Sequence, residues 1–562
     1  GSVSDGWTSD YYNSYVSRWI RDINSGIAVA DEKIAEGNIK EYTGNLKQVA
    51  RIWRAYLMSE ISDNFGPVPI NGFQGINPAY DNVKDVYYYM LAELKEATEA
   101  LDLSVENPNN LKDLDPAYGY DYAKWKKYGN SLRMRLAMRL SEVDPSKAQQ
   151  EFEDAVSDGY IATSDENFKV KEVPGWNDYT GVMTREWNDQ FLSPTLNNIM
   201  IGLGGVASAD MLSAEKHSYI KPANYIGEKF EDHFSSLTND PSAGFWFDGL
   251  PNSIDPRAYY MYKIPGDFND PDFNSYPSWT SDAKNTNRSL IIGEQDNAAN
   301  GETNDIAIDA AFTWNAPTTG DWGEKGARNR LIWYPGTLPR LTNLYRNSNS
   351  SRIFFASWES YFLIAEAAVR GWNVPMGGQA AYEQGISESF AYNNVSQYLN
   401  AYLSSQDYNR AGTSVSWSHT AEPPATVSMQ YVNGYTGAPG TYSFKYPENT
   451  VYKGGAVKND LMNKIISQKF IAQTPWLPLE AWSDHRRLGL PFFENPAIEN
   501  PLPDKPQLNT GNYMTNSVDM FAQRLRYPSN FQNNLPQQYS QAVEQLGGPD
   551  DVFTPLWWAL QD

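Results

Sequence analysis

The chain has 562 residues, of which 41% are hydrophobic and 14% aromatic, and its formal net charge is −23. This composition indicates a globular protein, and an acidic chain without a basic run is unsuited to nucleic acid or to an anionic membrane surface. Disulfides and cysteine-ligated metals are excluded because cysteine is absent, and the four histidines lack the spacing of metal ligands.

Helical periodicity dominates residues 1–159, which we predict to form the first of three segments. The spacing of apolar residues predicts helices over residues 9–36, 43–64, 81–101, 122–140 and 146–158. Successive amphipathic helices with short breaks are typical of a tetratricopeptide-like solenoid, in which each helix pair buries its apolar face on the next. The fold is therefore predicted to be mainly α, with a helix-pair scaffold. We expect Arg133, Arg135 and Arg139 to pair with carboxylates on neighbouring helices.

Residues 160–350 have a different pattern, rich in glycine, asparagine, aspartate, proline and aromatic residues. Helical periodicity is limited to residues 194–202 and 225–237. A segment of this length is too long for a structureless loop in a compact protein. We predict a large irregular loop and helix subdomain that packs on the solenoid and binds the ligand.

Aromatic residues in this middle segment often stand beside short polar ones, as in FWFDGLPNSIDPR and FNSYPSWTSD. Apolar ring faces next to hydrogen-bonding groups suit a sugar, which stacks its C–H face and binds through its hydroxyls. The same composition also produces rigid loops without a ligand. The predicted ligand-binding residues are Trp246, Asp248, Asn252, Arg257, Tyr276, Trp279 and Trp322.

Residues 351–562 form the third segment and complete one integrated domain. Helices are predicted over residues 352–371, 382–390 and 395–404, and residues 410–455 are predicted to be a loop with at most one short hairpin. A further helix begins near Asn459 or Asp460, and Pro475 and Pro478 separate it from a second turn. Arg486 and Arg487 on that turn are expected to tie distant carboxylates and carbonyls together.

Sequence motifs of common enzymes are absent. There is no dinucleotide fingerprint, P-loop or GxSxG elbow, and the oxygen-rich GDFNDPDFN (266–274) lacks the order of a calcium loop. We therefore predict no cofactor and no metal. A glycoside hydrolase stays an alternative, because the 68 acidic residues supply many possible catalytic pairs that the sequence alone cannot bring together.

Five segments carry a resemblance to a known family. They are ARIWRAYLMSEISDNFGPVPI (50–70), WKKYGNSLRMRLAMRLSEVDP (125–145), FFASWESYFLIAEAAVRGW (354–372), IISQKFIAQTP with EAWSDHRRLGLP (465–491), and GGPDDVFTPLWW (547–558). In this order they resemble the SusD/RagB family of nutrient-binding lipoproteins of Bacteroidetes. The resemblance implies the same tetratricopeptide-like scaffold and a binding protein without enzymatic activity.

The resemblance also implies a function and a location. A SusD-like protein is expected at the extracellular face of the outer membrane, held by an N-terminal lipid anchor that the present sequence does not contain. It is expected to deliver an oligosaccharide to a SusC-like TonB-dependent transporter. A peptide ligand is the alternative within the same family, because asparagine and aspartate side chains can also hold an extended main chain.

Overall fold

The computed structural model of the protein describes residues 4–72, 77–172, 190–231, 233–234, 236–270, 284–290, 306–316, 336–346, 349–496, 498 and 508–561. This part of the chain is mainly helical, as the sequence predicts, and has small β-sheets between the helices. None of the helices in these ranges is both long and apolar enough to span a bilayer.

The N-terminal helices confirm the predicted pattern, with a π-helical stretch at Ser14–Ile20 inside the first. Asn82 caps α4 one residue after the predicted start, and its side chain accepts the backbone N–H of Asp85. Each long helix packs on the next in the chain, apart from short α5. Their bounds are α1 Asp5–Asn13, α2 Arg21–Ala35, α3 Thr43–Phe65, α4 Val83–Ala100, α5 Asn109–Lys112, α6 Tyr122–Arg139 and α7 Pro145–Ser157.

Four of the later helices pack together as one group. α12 packs on both α13 and α15, and α15 also contacts α16, so this group continues the helical scaffold. The middle segment contributes α8 Pro194–Met200, α9 Ser208–Met211, α10 Ala258–Met261 and α11 Asn343–Arg346. The last segment contributes α12 Ser357–Val369, α13 Gly378–Tyr392, α14 Leu399–Ser404, α15 Leu461–Gln473, α16 Pro478–Leu488, α17 Ser529–Asn534 and α18 Pro536–Leu546.

The strands lie in and around the irregular segment. β1 pairs with β8, β4 with β7 and β5 with β6, each antiparallel, while the largest described sheet has the order β10-β9-β2-β3. The bounds are β1 Phe168–Lys171, β2 Tyr225–Lys229, β3 Phe245–Trp246, β4 Tyr262–Lys263, β5 Asn287–Leu290, β6 Ile306–Asp309, β7 Arg340–Leu341, β8 Ser351–Phe355, β9 Thr426–Asn433 and β10 Pro439–Lys445.

Two sequence predictions are corrected by these strands. The helix predicted over residues 225–237 is wrong, because Tyr225–Lys229 form β2 and pair in parallel with β9, which lies about 200 residues later in the chain. The helix predicted from Arg352 begins only at Ser357, since residues 351–355 form β8. The hairpin allowed for residues 410–455 is present as β9 and β10, and it belongs to the four-stranded sheet.

One hydrophobic cluster runs through all three predicted segments. It contains Ile52 and Leu136 from the first, Met200 and Ile254 from the second, and Ile465 from the third. The C-terminal LWW packs onto this body, with Leu556 and Trp558 fully buried. The boundaries at residues 159 and 350 stay predictions. The shared core crosses both of them, so they do not separate independent cores.

The three arginines of α6 pair with carboxylates, as predicted. Arg135 binds Glu359 of α12 with both Nε (2.6 Å) and Nη2 (2.8 Å), and Arg139 binds Glu480 of α16 at 2.8 and 2.9 Å. Arg133 is held by Glu151 on α7. Ion pairs with several hydrogen bonds satisfy the charges that this helix buries.

The tandem arginines of α16 form the predicted clamp. Arg487 donates to both carboxylate oxygens of Glu366 on α12 (2.5 and 2.9 Å), to Asp484 (2.9 Å) and to the hydroxyl of Ser141 (2.8 Å). Arg486 donates to the backbone carbonyls of Asp63 (2.5 Å) and Gln523 (2.8 Å). α16 therefore joins helices from both ends of the chain.

His485, which precedes this pair, is stacked on Phe493 with ring centroids 3.8 Å apart, and its Nδ1 is buried without a hydrogen bond to the described residues. Burial and the neighbouring Arg486 lower the pKa of His485 from 6.5 to about 3. The unfolded histidine takes up a proton below pH 6.5, whereas the folded one does so only near pH 3. Between these values the unfolded state binds more protons, so folding stability is lost as the pH falls.

Replacing His485 with phenylalanine should remove this contribution. We expect the H485F protein to lose less unfolding free energy than the wild type between pH 6.5 and pH 4, by up to about 1.4 kcal/mol per pH unit. Urea unfolding at a series of pH values measures the difference. Identical pH slopes for the two proteins would show that His485 is not the responsible group.

Candidate ligand-binding cavity

A cavity of about 340 Å³ opens between the four-stranded sheet and the loops around residues 201, 252 and 409. Its volume lies within the range of about 300–1,000 Å³ that is usual for small-molecule sites. Five aromatic side chains line it: Tyr225, Phe247, Tyr408, Phe444 and Tyr446. Polar residues stand among them: Asn252, Ser253, Asp407, Asn409 and Arg410.

The β9–β10 hairpin forms one wall of the cavity, because alternate side chains along its strands point to the same face. Val427 lies opposite Phe444, and Met429 lies opposite Tyr442, so these side chains share one face of the antiparallel pair. Val427, Met429 and Phe444 line the cavity. The residues between them, such as Ser428 and Ser443, are exposed on the other face. The polar and apolar alternation of the hairpin thus separates a cavity wall from a solvated surface.

Tyr225 begins β2 and brings an aromatic ring to the cavity. It packs against Phe247, with the ring centroids 6.0 Å apart. Burial and the nearby Asp248 carboxylate raise the pKa of the Tyr225 hydroxyl, so this group stays protonated near neutral pH. Asp248 is itself paired with Lys221 at 2.7 Å. The Tyr225 ring is therefore held from two sides beside the cavity.

The loop from Asp407 to Arg410 forms a further wall. Hydrogen bonds of the Asn409 side chain and of the Arg410 backbone fix its position. The side chain of Asn409 donates to the carbonyl of Ile199 (2.9 Å) and accepts from the backbone N–H of Ala411 and of Thr413. The N–H of Arg410 donates to the carbonyl of Asn198 (3.1 Å). These bonds hold the side chains of Tyr408 and Arg410 in place at the cavity.

Gly202, in the chain after α8, lies close against this loop. Its φ is +81°, and a Cβ atom built on it would lie 2.8 Å from the carbonyl oxygen of Tyr408. Alanine at this position would be strained by its backbone angle and would push the loop away. We expect the G202A protein to lose about 1–3 kcal/mol of unfolding free energy and to bind its ligand more weakly.

Gly37 provides the matched control for this prediction. Its φ is +70°, and a Cβ atom there would meet nothing within 4 Å. We expect Gly37→Ala to lower the unfolding temperature through backbone strain alone and to leave ligand affinity unchanged. Equal affinity of both variants would contradict the role of the contact between Gly202 and Tyr408.

Two of the residues predicted to bind ligand are buried in the protein. Trp246 is 1% exposed, and its ring stacks on Phe234 at a centroid distance of 5.9 Å. Arg257 is fully buried and makes a two-pronged ion pair with Asp255, with further hydrogen bonds to Tyr402 and Gln468. Packing accounts for both side chains, because neither presents a free surface to a ligand.

The remaining predicted residues have different positions. Asn252 is exposed and lines the cavity, whereas Asp248 is half-buried beside it in the ion pair with Lys221. Tyr276, Trp279 and Trp322 lie outside the described residues, so their part in a ligand site stays a prediction. The structure thus brings Asn252 together with aromatic residues that the sequence prediction did not include.

The aromatic residues that sequence reasoning missed are Tyr225, Tyr408 and Tyr446. Tyr225 falls in a predicted helix and Tyr446 in a predicted polar loop, whereas Tyr408 lies between two predicted elements. The alternation of TVSMQYVN and TYSFKY was the available signal, since it places Phe444 and, two residues on, Tyr446 on one side of the hairpin. No local sequence pattern indicates that this hairpin pairs with the strand that begins at Tyr225.

The chemistry of the cavity suits binding. Among the described residues that line it, Asp407 supplies the carboxylate, whereas glycoside hydrolysis normally uses a pair. No group of three or more acidic or histidine side chains able to hold a metal ion is found in the described ranges. Rings next to amide, hydroxyl and guanidinium groups instead offer stacking and hydrogen bonds to one ligand.

Similar solved structures agree on the fold. A SusD homolog from Parabacteroides distasonis is 24% identical, with a TM-score of 0.69 over 99% of this chain and 89% of that one. A homolog from Bacteroides vulgatus is 20% identical, with a TM-score of 0.58 over 99% and 86% of the two chains. A chitin-binding SusD homolog from Flavobacterium johnsoniae is 20% identical, with a TM-score of 0.58 over 96% and 86%.

The family itself follows from the sequence. No curated protein matches the chain significantly. Residues 2–230 and 337–559, however, match the family model described as "SusD-like: Susd and RagB outer membrane lipoprotein". These two ranges contain the helical scaffold, the arginine clamp and most of the cavity walls. The chain therefore belongs to the SusD and RagB family of outer membrane lipoproteins, whose members are binding proteins rather than enzymes.

Proposed function

We propose that the protein binds a glycan at the cell surface and delivers the oligosaccharide to a TonB-dependent outer-membrane transporter. The observation that carries this proposal is the cavity, in which Tyr225, Tyr408 and Tyr446 stand beside Asn252 and Arg410. Flat rings bind the C–H face of a sugar, and the polar groups around them bind its hydroxyls. The site proposed here keeps Asn252 from the sequence prediction and replaces Trp246 and Arg257.

The comparisons support a glycan as the ligand class. The homolog from Flavobacterium johnsoniae is described as chitin-binding, and a second similar structure carries the description of a chitin-binding protein. The residues of the cavity support binding without cleavage, because Asp407 has no second carboxylate beside it in the described lining.

Membership of the family supports the remaining parts of the proposal. The protein would be held at the extracellular face of the outer membrane by an N-terminal lipid anchor. A SusC-like transporter would be its partner and would receive the oligosaccharide from it. No cofactor or metal is required for this activity, which consists of binding and release.

Titration calorimetry of the purified protein against a panel of polysaccharides, oligosaccharides and a mixed peptide pool tests the ligand class. We expect binding to at least one glycan and no release of reducing ends. Binding to peptides alone would assign the protein to the peptide-binding alternative. Release of reducing ends by the purified protein would instead support a glycoside hydrolase and overturn the proposal.

A further inference from the structure

Arg410 is the cationic residue of the cavity, and its guanidinium has no partner in the described structure. The backbone of this residue is fixed by Asn198, but its side chain makes no hydrogen bond or ion pair with any described residue. It lines the main cavity and also a smaller one of about 30 Å³ next to it. Arg410 thus borders two cavities.

Three buried arginines of the protein differ from the half-buried Arg410 in this respect. Arg135, Arg257 and Arg487 each bind a carboxylate through two or more hydrogen bonds. A guanidinium removed from water without a counter-charge is costly, so a paired arrangement is the normal one. Arg410 is half-buried, and it has no such counter-charge among the described residues.

The acidic side chain of Asp240 does not supply an ion-pair contact. Asp240 is close enough to favour the charged guanidinium, but one of its carboxylate oxygens accepts from Asn198 and from the N–H and hydroxyl of Ser242. Burial lowers the pKa of Arg410 to about 10, and Asp240 opposes this shift only in part. The guanidinium at the cavity is therefore available to an anionic group of a ligand.

We propose that the cavity is specific for an acidic glycan and that Arg410 receives the carboxylate of a uronic acid unit. This inference rests on the proposed glycan-binding function and names the sugar class for the same site. A guanidinium offers two parallel N–H donors that match the two oxygens of a carboxylate, which a neutral sugar lacks. The aromatic rings of the cavity would hold the rest of the sugar.

Asp407 at the same cavity is expected to repel an acidic ligand. It is exposed, so solvent and salt screen its repulsion of an acidic ligand, whereas the more deeply placed guanidinium is screened less. We expect Asp407→Asn to raise the affinity for an acidic oligosaccharide a few-fold.

The test compares oligogalacturonate with the same oligosaccharide after reduction of its carboxyl groups to neutral alcohols. By calorimetry, the wild-type protein is expected to bind the acidic form about 10- to 100-fold more tightly. Arg410→Gln is expected to abolish this preference. Lys445→Gln is the matched control, because it removes an exposed positive charge that pairs with Glu448 on the solvated face of the hairpin.

Two outcomes separate this inference from the function on which it rests. Binding of neutral glycans that equals or exceeds binding of acidic ones would overturn the acidic specificity and leave glycan binding intact. Failure of the wild type to bind any glycan would overturn both. The wild-type comparison needs no variant, so it stays decisive even if Arg410→Gln does not fold.

Thermal unfolding without ligand gives an independent readout for Arg410. Because its charge is unpaired, we expect Arg410→Gln to melt at the same temperature as the wild type or at a higher one. A large loss of thermal stability would assign Arg410 a structural role and contradict the inference.

Discussion

Replacing Arg487 with methionine is expected to lower the free energy of unfolding by about 3–5 kcal/mol. The change leaves Glu366, whose side chain is 1% exposed, without its two-pronged partner, and it also removes a bond to Asp484. Methionine fills a similar volume, so the loss reflects the weaker pairing of two buried carboxylates, which keep only Arg370 and Lys469. Denaturant unfolding followed by circular dichroism measures it.

The control for this prediction is an exposed ion pair. Arg21 binds Asp22 at 2.7 Å, but both side chains are more than half exposed. Arg21→Met should therefore change the unfolding free energy by less than about 1 kcal/mol. If Arg487→Met has an equally small effect, the clamp does not stabilise the fold. A double variant with Glu366→Gln should lose less than the two single losses combined.

Truncation of Tyr225 or Tyr446 to alanine is expected to weaken glycan binding by about 2 kcal/mol or more, roughly 30-fold. Each change removes a ring from the cavity and leaves the polar groups in place. Phenylalanine at either position keeps the ring face and should retain most of the affinity. Titration calorimetry with the glycan that the panel identifies measures these values.

Tyr219 offers a comparison on the same subdomain. It is 39% exposed and stacks on Phe312, but it is not among the residues that line the cavity. Tyr219→Ala should leave the affinity within about twofold of the wild type. If the cavity variants bind normally while Trp279→Ala or Trp322→Ala abolishes binding, the site lies instead on the platform predicted from the sequence.

The helical scaffold could be predicted because its signal is local. In Thr43–Phe65 and Tyr122–Arg139, apolar residues recur with the helical period, and capping or breaking residues stand at the ends. The arginine clamp was also predictable in kind, since a guanidinium buried among apolar residues requires partners. The identity of its partners, such as Glu366, depends on how distant helices pack. Local sequence spacing does not predict it.

The failure at residues 225–237 has a clear physical cause. Gly227 adopts a φ of +130°, and a Cβ there would lie 2.4 Å from the carbonyl oxygen of Trp246, so this backbone fits closely against another strand. The pairing of β2 with β9 adds a partner about 200 residues away. Such non-local pairing outweighs a short helical pattern.

The ligand site was harder to predict for the same reason. Composition selects Asn252, which lines the cavity, but it also selects Trp246, whose large ring serves the core. The cavity needs Tyr225 from the middle segment together with Tyr408 and Tyr446 from the last. Residue type alone does not distinguish a ring that lines a cavity from one that fills a core.

The ion pairs of the scaffold join parts of the chain that are far apart in sequence. Arg135 meets Glu359 across 224 residues, Arg139 meets Glu480 across 341, and Arg524 meets the carbonyl of Phe65 across 459. Such contacts raise the contact order, and chains with a high contact order fold slowly. The buried charges of the N-terminal helices are therefore unpaired, and their apolar faces are exposed, until the C-terminal segment has been synthesised and packs on them. We expect this interval to be the stage at which the protein depends most on protection from aggregation.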